Sequence, residues 1–369
     1  MIKILFFIET LTGGGAEKVL RDLVNHMDQT RFDITVQTAF PCDASKYLVA
    51  GIRYKSMYSS ASKANRLRYR AEAESGLAYR LHIRDDYDIE CAYLEMGSTK
   101  VMAASTNKKA KKLAWVHCDL MKEISNPSSY VEKTEPWYEK FDRVVCVSQT
   151  AKESFDKLFQ NCFHSEVVYN VVDDTTIRSK AQLPLPAGTA KRRLTVLSVG
   201  RLTAQKNFMR LLMAHKRVLD TGLEHDLWIL GEGSERSALE QFIKENYLQN
   251  SVSMPGFAEN PYPCMREADL LACSSNSEGF STFLTEGVVL GKPIVTTNVS
   301  GVRELLGDSE FGLVTESEDE AFCRGYEQML RDPALRDSYS DRVSMRSSDF
   351  SAQALTDRTE QFFTQLLED

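Results

Sequence analysis

The stretch Ser277–Gly287, SEGFSTFLTEG, places Glu278 beside a glycine and Glu286 eight positions later. Gly279 permits close approach to the backbone, Ser281 stands where it can cap a following helix, and Gly291 can close that helix. A helix start behind a glycine turn offers free N–H groups and a positive dipole end, which suits phosphate. A carboxylate two turns further on does not. Glu286 is better suited to a vicinal diol such as a ribose, and Glu278 at the loop tip can likewise hold sugar hydroxyls. With 52 acidic residues the spacing also recurs by chance, and the alternative is a capped helix carrying two exposed glutamates.

Other loops offer complementary chemistry. SVGRLTAQKN sets Gly200, Arg201 and Lys206 between a strand and a helix, where a planar fork and a point charge can neutralise a diphosphate. The alternative there is a solvated basic turn. TLTGGGAEK, with Gly13–Gly15 entering a helix, suits a bulky group lying against the backbone, although it is neither phosphate-loop signature. The GEG at 231–233 is explained by a tight strand–helix turn. His117 ends the strand KKLAWVH, as a site residue or a structural one, and the remaining five histidines lack metal-ligand spacing. Asp86-Tyr87-Asp88 has the letters D-x-D, but it precedes a strand and is taken as structural. No metal and no cofactor are expected.

Strand-length apolar runs alternate with helical periods through both halves of the 369-residue chain. IKILFFI, FDITVQTA, YDIECAYL, KKLAWVH, RVVCVS and SEVVYN read as strands in the first half. LTVLSVG, HDLWILGEG, VSMPGF, DLLACSS and KPIVTT follow in the second. That alternation predicts two α/β, Rossmann-like parallel-sheet domains. The expected boundaries are 1–180 and 193–346, with a linker at 181–192 (AQLPLPAGTAKR) and a terminal helix at 350–369. The candidate residues follow strands, at the edge where such sheets bind ligands, and two facing loop sets would bring them together.

A net charge of −7 argues against a nucleic-acid binder driven by overall charge. Eight cysteines without any C-x-x-C, several inside apolar runs, read as buried thiols in a reducing compartment. No run reaches the roughly 18 apolar residues of a membrane span, and MIKILFFIE is too short for a signal segment. The expectation is a cytoplasmic protein, at most peripheral to the inner face of the plasma membrane.

Taken in order, SVGRLTAQKN, ILGEGSER, MPGFAEN, SEGFSTFLTEGVVLGKPIVTTNVSGVRELLG and FGLVT resemble the family 4 retaining glycosyltransferases of the GT-B fold. TGGGAEKVL, YDIECAYLEMGSTK, AWVHCDL, VVCVSQTAKESF and YNVVD extend the resemblance over the first half, and the details are most similar to bacterial capsular, exopolysaccharide or lipid-linked glycan enzymes. The resemblance implies Glu278 at the donor sugar and Glu286 at the nucleotide ribose. It puts Arg201 and Lys206 on the diphosphate, beside Gly200, Gly279, Phe280 and the N–H groups of Thr282 and Phe283. Phe257 would lie beside the base, Gly14 and Gly15 at the phosphate–sugar end, and His117 near the reacting carbon. Ser281 stands where many relatives have proline or glycine. The terminal helix would fold back onto the first domain.

The implied reaction moves a hexose or N-acetylhexosamine from a UDP-sugar to a glycan or lipid-linked acceptor, with retention and without a metal. The rivals are a GT-B epimerase, hydrolase or phosphorylase, or a non-catalytic subunit of a synthase complex. Lys63, Arg66, Arg68, Arg70, Arg80 and Arg84, with Lys108, Lys109, Lys111 and Lys112, form basic segments that fit either an anionic membrane surface or a solvated face.

Overall fold

The computed structural model describes residues 1–186 and 189–368. Residues 187 and 188 of the linker predicted at 181–192, and residue 369 of the helix predicted at 350–369, lie outside the described residues. The chain divides into two compact units. Unit 1 comprises Met1–Val172 with the chain from Ala352 onward, and unit 2 comprises Asp173–Ser351. The helix Asp174–Ala181 goes with unit 2, where the Asn260 amide donates to the Lys180 carbonyl at 3.1 Å.

Unit 1 holds strands β1 (Ile2–Ile8), β2 (Phe32–Thr38), β3 (Arg53–Ser56), β4 (Ile89–Ala92), β5 (Lys111–Val116), β6 (Arg143–Cys146) and β7 (Ser165–Val167). They form one parallel sheet in the order β3-β2-β1-β4-β5-β6-β7. From Ile4 to Ile8, β1 reads as an unbroken apolar run because helices cover both of its faces. Helix Gly15–His26 buries Val19, Leu20, Leu23 and Val24. The terminal helix Ala352–Glu368 sets the fully buried Phe363 ring against Phe6, Phe32 and Trp115, with centroids 6.0, 6.4 and 6.1 Å away. Its Glu360 carboxylate accepts from the Asp28 N–H at 2.6 Å and the Arg31 guanidinium at 2.9 Å.

β3 is the short polar edge strand RYKS, which carries no apolar period and forms by pairing with β2. The basic stretch becomes two helices, Lys63–Glu74 and Leu77–His82, divided where Gly76 is left-handed at φ 70°. The D-x-D segment does scaffold work: Tyr87 is buried, and the Asp88 carboxylate accepts the Lys3 N–H at 2.8 Å, at the amino end of β4.

Unit 2 holds β8 (Thr195–Val199), β9 (Asp226–Leu230), β10 (Val252–Gly256), β11 (Leu270–Cys273), β12 (Ile294–Thr297) and β13 (Leu313–Thr315). All pairs are parallel, in the order β10-β9-β8-β11-β12-β13. Helices Phe208–Asp220 and Asp319–Arg331 pack Leu211, Leu212, Phe322 and Tyr326 onto β8 and β9. Beneath them His215 and His225 are fully buried, 2.8 Å apart through Nδ1 and Nε2, with Ser251 and Tyr326 completing the chain. Burial pushes both imidazoles down, so the network is neutral. At the carboxyl edge, a Cβ on Gly231 would fall 1.9 Å from the Gly200 carbonyl oxygen, so this strand end requires glycine for close approach. All eight cysteines are free; those inside apolar strands, Cys91, Cys146 and Cys273, are buried, whereas Cys162 is exposed.

Candidate functional site

In unit 2 the strand order reverses between β8 and β11, and the loops after these two strands flank the reversal. Crevices at such switch points are where open α/β sheets take ligands. The loop after β8 carries Lys206, and the loop after β11 carries Glu278. Their side chains meet, Lys206 Nζ lying 2.5 Å from Glu278 Oε1. The Ser275 hydroxyl donates to the same oxygen at 2.7 Å. Backbone and side-chain bonds lace the loops together: the Asn276 N–H donates to the Gln205 carbonyl at 2.7 Å, and the Ser274 hydroxyl to the Lys206 carbonyl at 3.1 Å. Asn207, left-handed at φ 44°, caps the helix beyond by accepting from the Arg210 N–H.

Lys206, Glu278, Ser281 and Phe283 line one small pocket with Ser198, Val199, Phe208 and Cys273–Ser275. Neither glutamate is the exposed residue of the bland alternative. Glu278 is 7% exposed and Glu286 6%. A carboxylate is taken out of water only where partners compensate it. Glu278 has Lys206 and Ser275, while Glu286 Oε1 accepts from the Tyr262 hydroxyl at 3.2 Å. Helix Thr282–Val289 starts as expected, but Ser281 makes no side-chain cap. Its φ of −69° and ψ of 112° suit a cap position, and the residue lines the pocket.

Arg201, Phe257, Gly279 and Phe280 are not among the residues that line this pocket. Arg201 is exposed and, among the described residues, its side chain has no hydrogen-bond or ion-pair partner. Phe257, just beyond β10, is 77% exposed. Gly279 and Phe280 are buried behind the loop, where the Phe280 ring lies 6.0 Å from that of Phe350.

In unit 1 the reversal falls between β1 and β4. Gly13 follows β1 with φ 103°, and Gly14 is the residue preceding helix Gly15–His26. A Cβ on Gly14 would press on the Glu17 carboxylate at 2.3 Å. His117 follows β5. Burial pushes its imidazole down to about 3, against a raising backbone hydrogen bond with Tyr93, so the ring is neutral at physiological pH. Its Nε2 is buried without a partner among the described residues. A neutral ring with an open nitrogen can make a hydrogen bond but cannot serve as a cation.

Three contributors were not foreseen. Glu95, after β4, accepts the backbone N–H groups of His117 and Cys118 (the latter at 3.1 Å) and thereby fixes the end of β5. Burial raises its pKa against those bonds. Its signal was its place directly after the strand YDIECAYL, in the segment YLEMG. Tyr262 and Ser275 had no signal, because each is identified only by the carboxylate it reaches through the fold.

Leu67, Leu77 and Leu81 are 70%, 44% and 41% exposed among the basic residues of helices Lys63–Glu74 and Leu77–His82. Arg68 is paired with Glu72 at 2.6 Å, whereas the side chains of Lys63, Arg70, Arg80 and Arg84 have no partner among the described residues. Among the described residues, no helix is long and apolar enough to cross a membrane, and no group of three or more His, Cys, Asp or Glu could hold a metal ion.

Comparison with known proteins gives two family matches: residues 13–176 match Glycosyltransferase Family 4, and residues 182–344 match Glycosyl transferases group 1. The chain is 31% identical over 363 residues to the N-acetylgalactosamine-N,N'-diacetylbacillosaminyl-diphospho-undecaprenol 4-alpha-N-acetylgalactosaminyltransferase of Campylobacter jejuni. That alignment covers 95% of this chain and 96% of the relative. Among solved structures, HepE of Anabaena in complex with UDP superposes with a TM-score of 0.75 at 18% identity, covering 99% of this chain and 100% of that one. The sucrose-phosphate synthase of Thermosynechococcus elongatus does so with a TM-score of 0.81 at 16% identity, covering 100% of both.

Proposed function

The chain belongs to the family 4 glycosyltransferases and has the GT-B fold, and from that premise we propose that this hexosyltransferase takes its sugar from a UDP-hexose or UDP-N-acetylhexosamine. The acceptor is a hydroxyl of a lipid-linked or polysaccharide glycan. The observation that carries the reading is the pair of half-buried Lys206 and buried Glu278 at the switch point of unit 2. It puts a cation suited to a diphosphate within reach of a carboxylate suited to sugar hydroxyls. The Campylobacter jejuni relative, an N-acetylgalactosaminyltransferase named for an undecaprenol-linked glycan, supports the acceptor class. The UDP held by the Anabaena neighbour supports the nucleotide.

In this reading the bond between the anomeric carbon and the diphosphate oxygen breaks as the acceptor oxygen bonds to the same face of that carbon. The acceptor's proton leaves with the departing phosphate. Lys206, Arg201 and the N–H groups of Thr282 and Phe283, beside Gly200, take up the charge left on the diphosphate. Glu286 holds the ribose, Phe257 the base and Glu278 the sugar. His117, Gly14 and Gly15 are assigned to the sugar and its phosphate, His117 as a neutral hydrogen-bonding group. No metal is required.

The test is thermal stabilisation and slow donor hydrolysis with UDP-glucose, UDP-galactose, UDP-GlcNAc and UDP-GalNAc, each with and without EDTA. At about 100 times its Kd, one donor should add roughly 2.7 kcal/mol of stability. EDTA should change nothing. Stabilisation by no donor, or activity restored only by manganese, would reject the reading.

The basic and leucine-bearing surface of residues 63–84, with Lys108, Lys109, Lys111 and Lys112, is assigned to an anionic membrane surface, at about 1 kcal/mol per basic residue near the lipid. The protein would then sit at the inner face of the plasma membrane. It should co-sediment with phosphatidylserine vesicles, and neutralising both clusters should abolish this. Sedimentation that survives the change would assign the surface to solvent.

A further inference from the structure

Lys206 is engaged within the protein, since its ammonium is 2.5 Å from Glu278 Oε1. A donor diphosphate must therefore compete with a buried carboxylate for that cation. Such a carboxylate, stripped of its counter-charge and left without hydrogen bonds, is strongly disfavoured. The exchange is feasible only if something else stays on Glu278 when the lysine turns away.

We propose that Ser275 is the positioning residue that permits this exchange: its hydroxyl stays on Glu278 Oε1 and holds the carboxylate in place while Lys206 moves to the diphosphate. The inference rests on the donor-binding reading of Lys206 and Glu278. Five observations support it. Ser275 donates at 2.7 Å to the very oxygen that Lys206 contacts, and it is 1% exposed. Its carbonyl accepts the Thr297 hydroxyl at 2.6 Å, which ties the residue to the end of β12. Its own oxygen lies 3.4 Å from Cys273 Sγ, and burial keeps that thiol protonated, so an S–H can donate into Ser275 while Ser275 donates onward to Glu278. Glu278 Oε2 accepts no hydrogen bond among the described residues and is open for a sugar hydroxyl. The two loops are laced independently through Gln205–Asn276 and Lys206–Ser274, so the ammonium can leave without unhooking its loop.

Removing the Ser275 hydroxyl makes Glu278 depend on Lys206 alone. The lysine is then held more tightly and UDP binds less well. Calorimetric titration of UDP into the wild type, Ser275→Ala, Glu278→Gln and the double variant reads this directly. Ser275→Ala should weaken UDP about 10-fold, the scale of one net hydrogen bond. In the Glu278→Gln background, where no carboxylate retains the lysine, the same change should matter less than about 2-fold. Equal weakening in both backgrounds, or none in the first, overturns the proposal and leaves the donor reading standing. A wild type that binds no UDP overturns the donor reading and the proposal with it. If Ser275→Ala does not fold, Ser275→Cys, which retains volume but donates weakly, is read in the same way.

Discussion

Lys206→Ala is expected to lower kcat/KM for sugar transfer by about two to three orders of magnitude, the scale seen when one preorganised donor to developing charge is removed. Among the described residues Lys206 is the one cation lining the pocket, and it stands at the β8–β11 reversal. Its loss would also strand Glu278, 7% exposed, with only the Ser275 hydroxyl as partner, so a negative charge would face the incoming diphosphate. The charge on the leaving group is greatest in the transition state, so kcat should fall more than KM rises. Arg201→Ala should cost less, about 10-fold. Its side chain is exposed and partnerless, and must give up side-chain freedom to reach a ligand. Steady-state kinetics with the donor identified by thermal stabilisation measure both. A Lys206→Ala enzyme within about 3-fold of wild type would remove the electrostatic account of departure.

What could be read in advance follows from how locally each feature is encoded. Most strands of both sheets were legible because helices cover both faces and the strand is a largely apolar run of its own, as in IKILFFI and DLLACSS. β3 and β13 were not: the edge strand RYKS takes its shape from β2, and the three residues Leu313–Thr315 are too few to show a period and pair onto β12. The helix Pro127–Tyr138 was also unforeseen. Its sequence, PSSYVEKTEPWY, buries only Thr134 and Tyr138 and contains Pro136, so neither period nor composition announces it.

The site shows the same division. Glu278 and Lys206 could be named from their loops, but nothing in 72 residues of separation says that they touch. That contact comes from the strand order, in which β8 and β11 are neighbours. Ser281 was read as a cap from its place before a helix; the local backbone agrees, and the hydroxyl does not make the bond. Ser275 looked like one serine among several in SSNSEGFS, and only the carboxylate of Glu278 distinguishes it. Glu95 is a similar case, since its partners are backbone groups on another strand.

The second large effect is on stability. Phe363→Ala should destabilise unit 1 by about 4 kcal/mol, in the range for a fully buried aromatic truncated to alanine. The ring is fully buried and packs against Phe6, Phe32 and Trp115, which belong to β1, β2 and β5, so its removal leaves a void beneath the centre of the sheet. The residue arrives from the far end of the chain, after all of unit 2, and the void cannot be closed by a neighbouring turn. The polar clasp on the same helix should matter less. Glu360→Gln keeps one acceptor for the Asp28 N–H and loses the charge facing Arg31, which is itself 50% exposed, so about 1 kcal/mol is expected. Urea denaturation followed by the fluorescence of Trp115 in a Trp137→Phe, Trp228→Phe background reports unit 1 selectively. Phe363→Leu, which refills most of the volume, should recover more than half of the loss. A midpoint unchanged by Phe363→Ala would mean that the terminal helix adds nothing to unit 1 beyond its own surface.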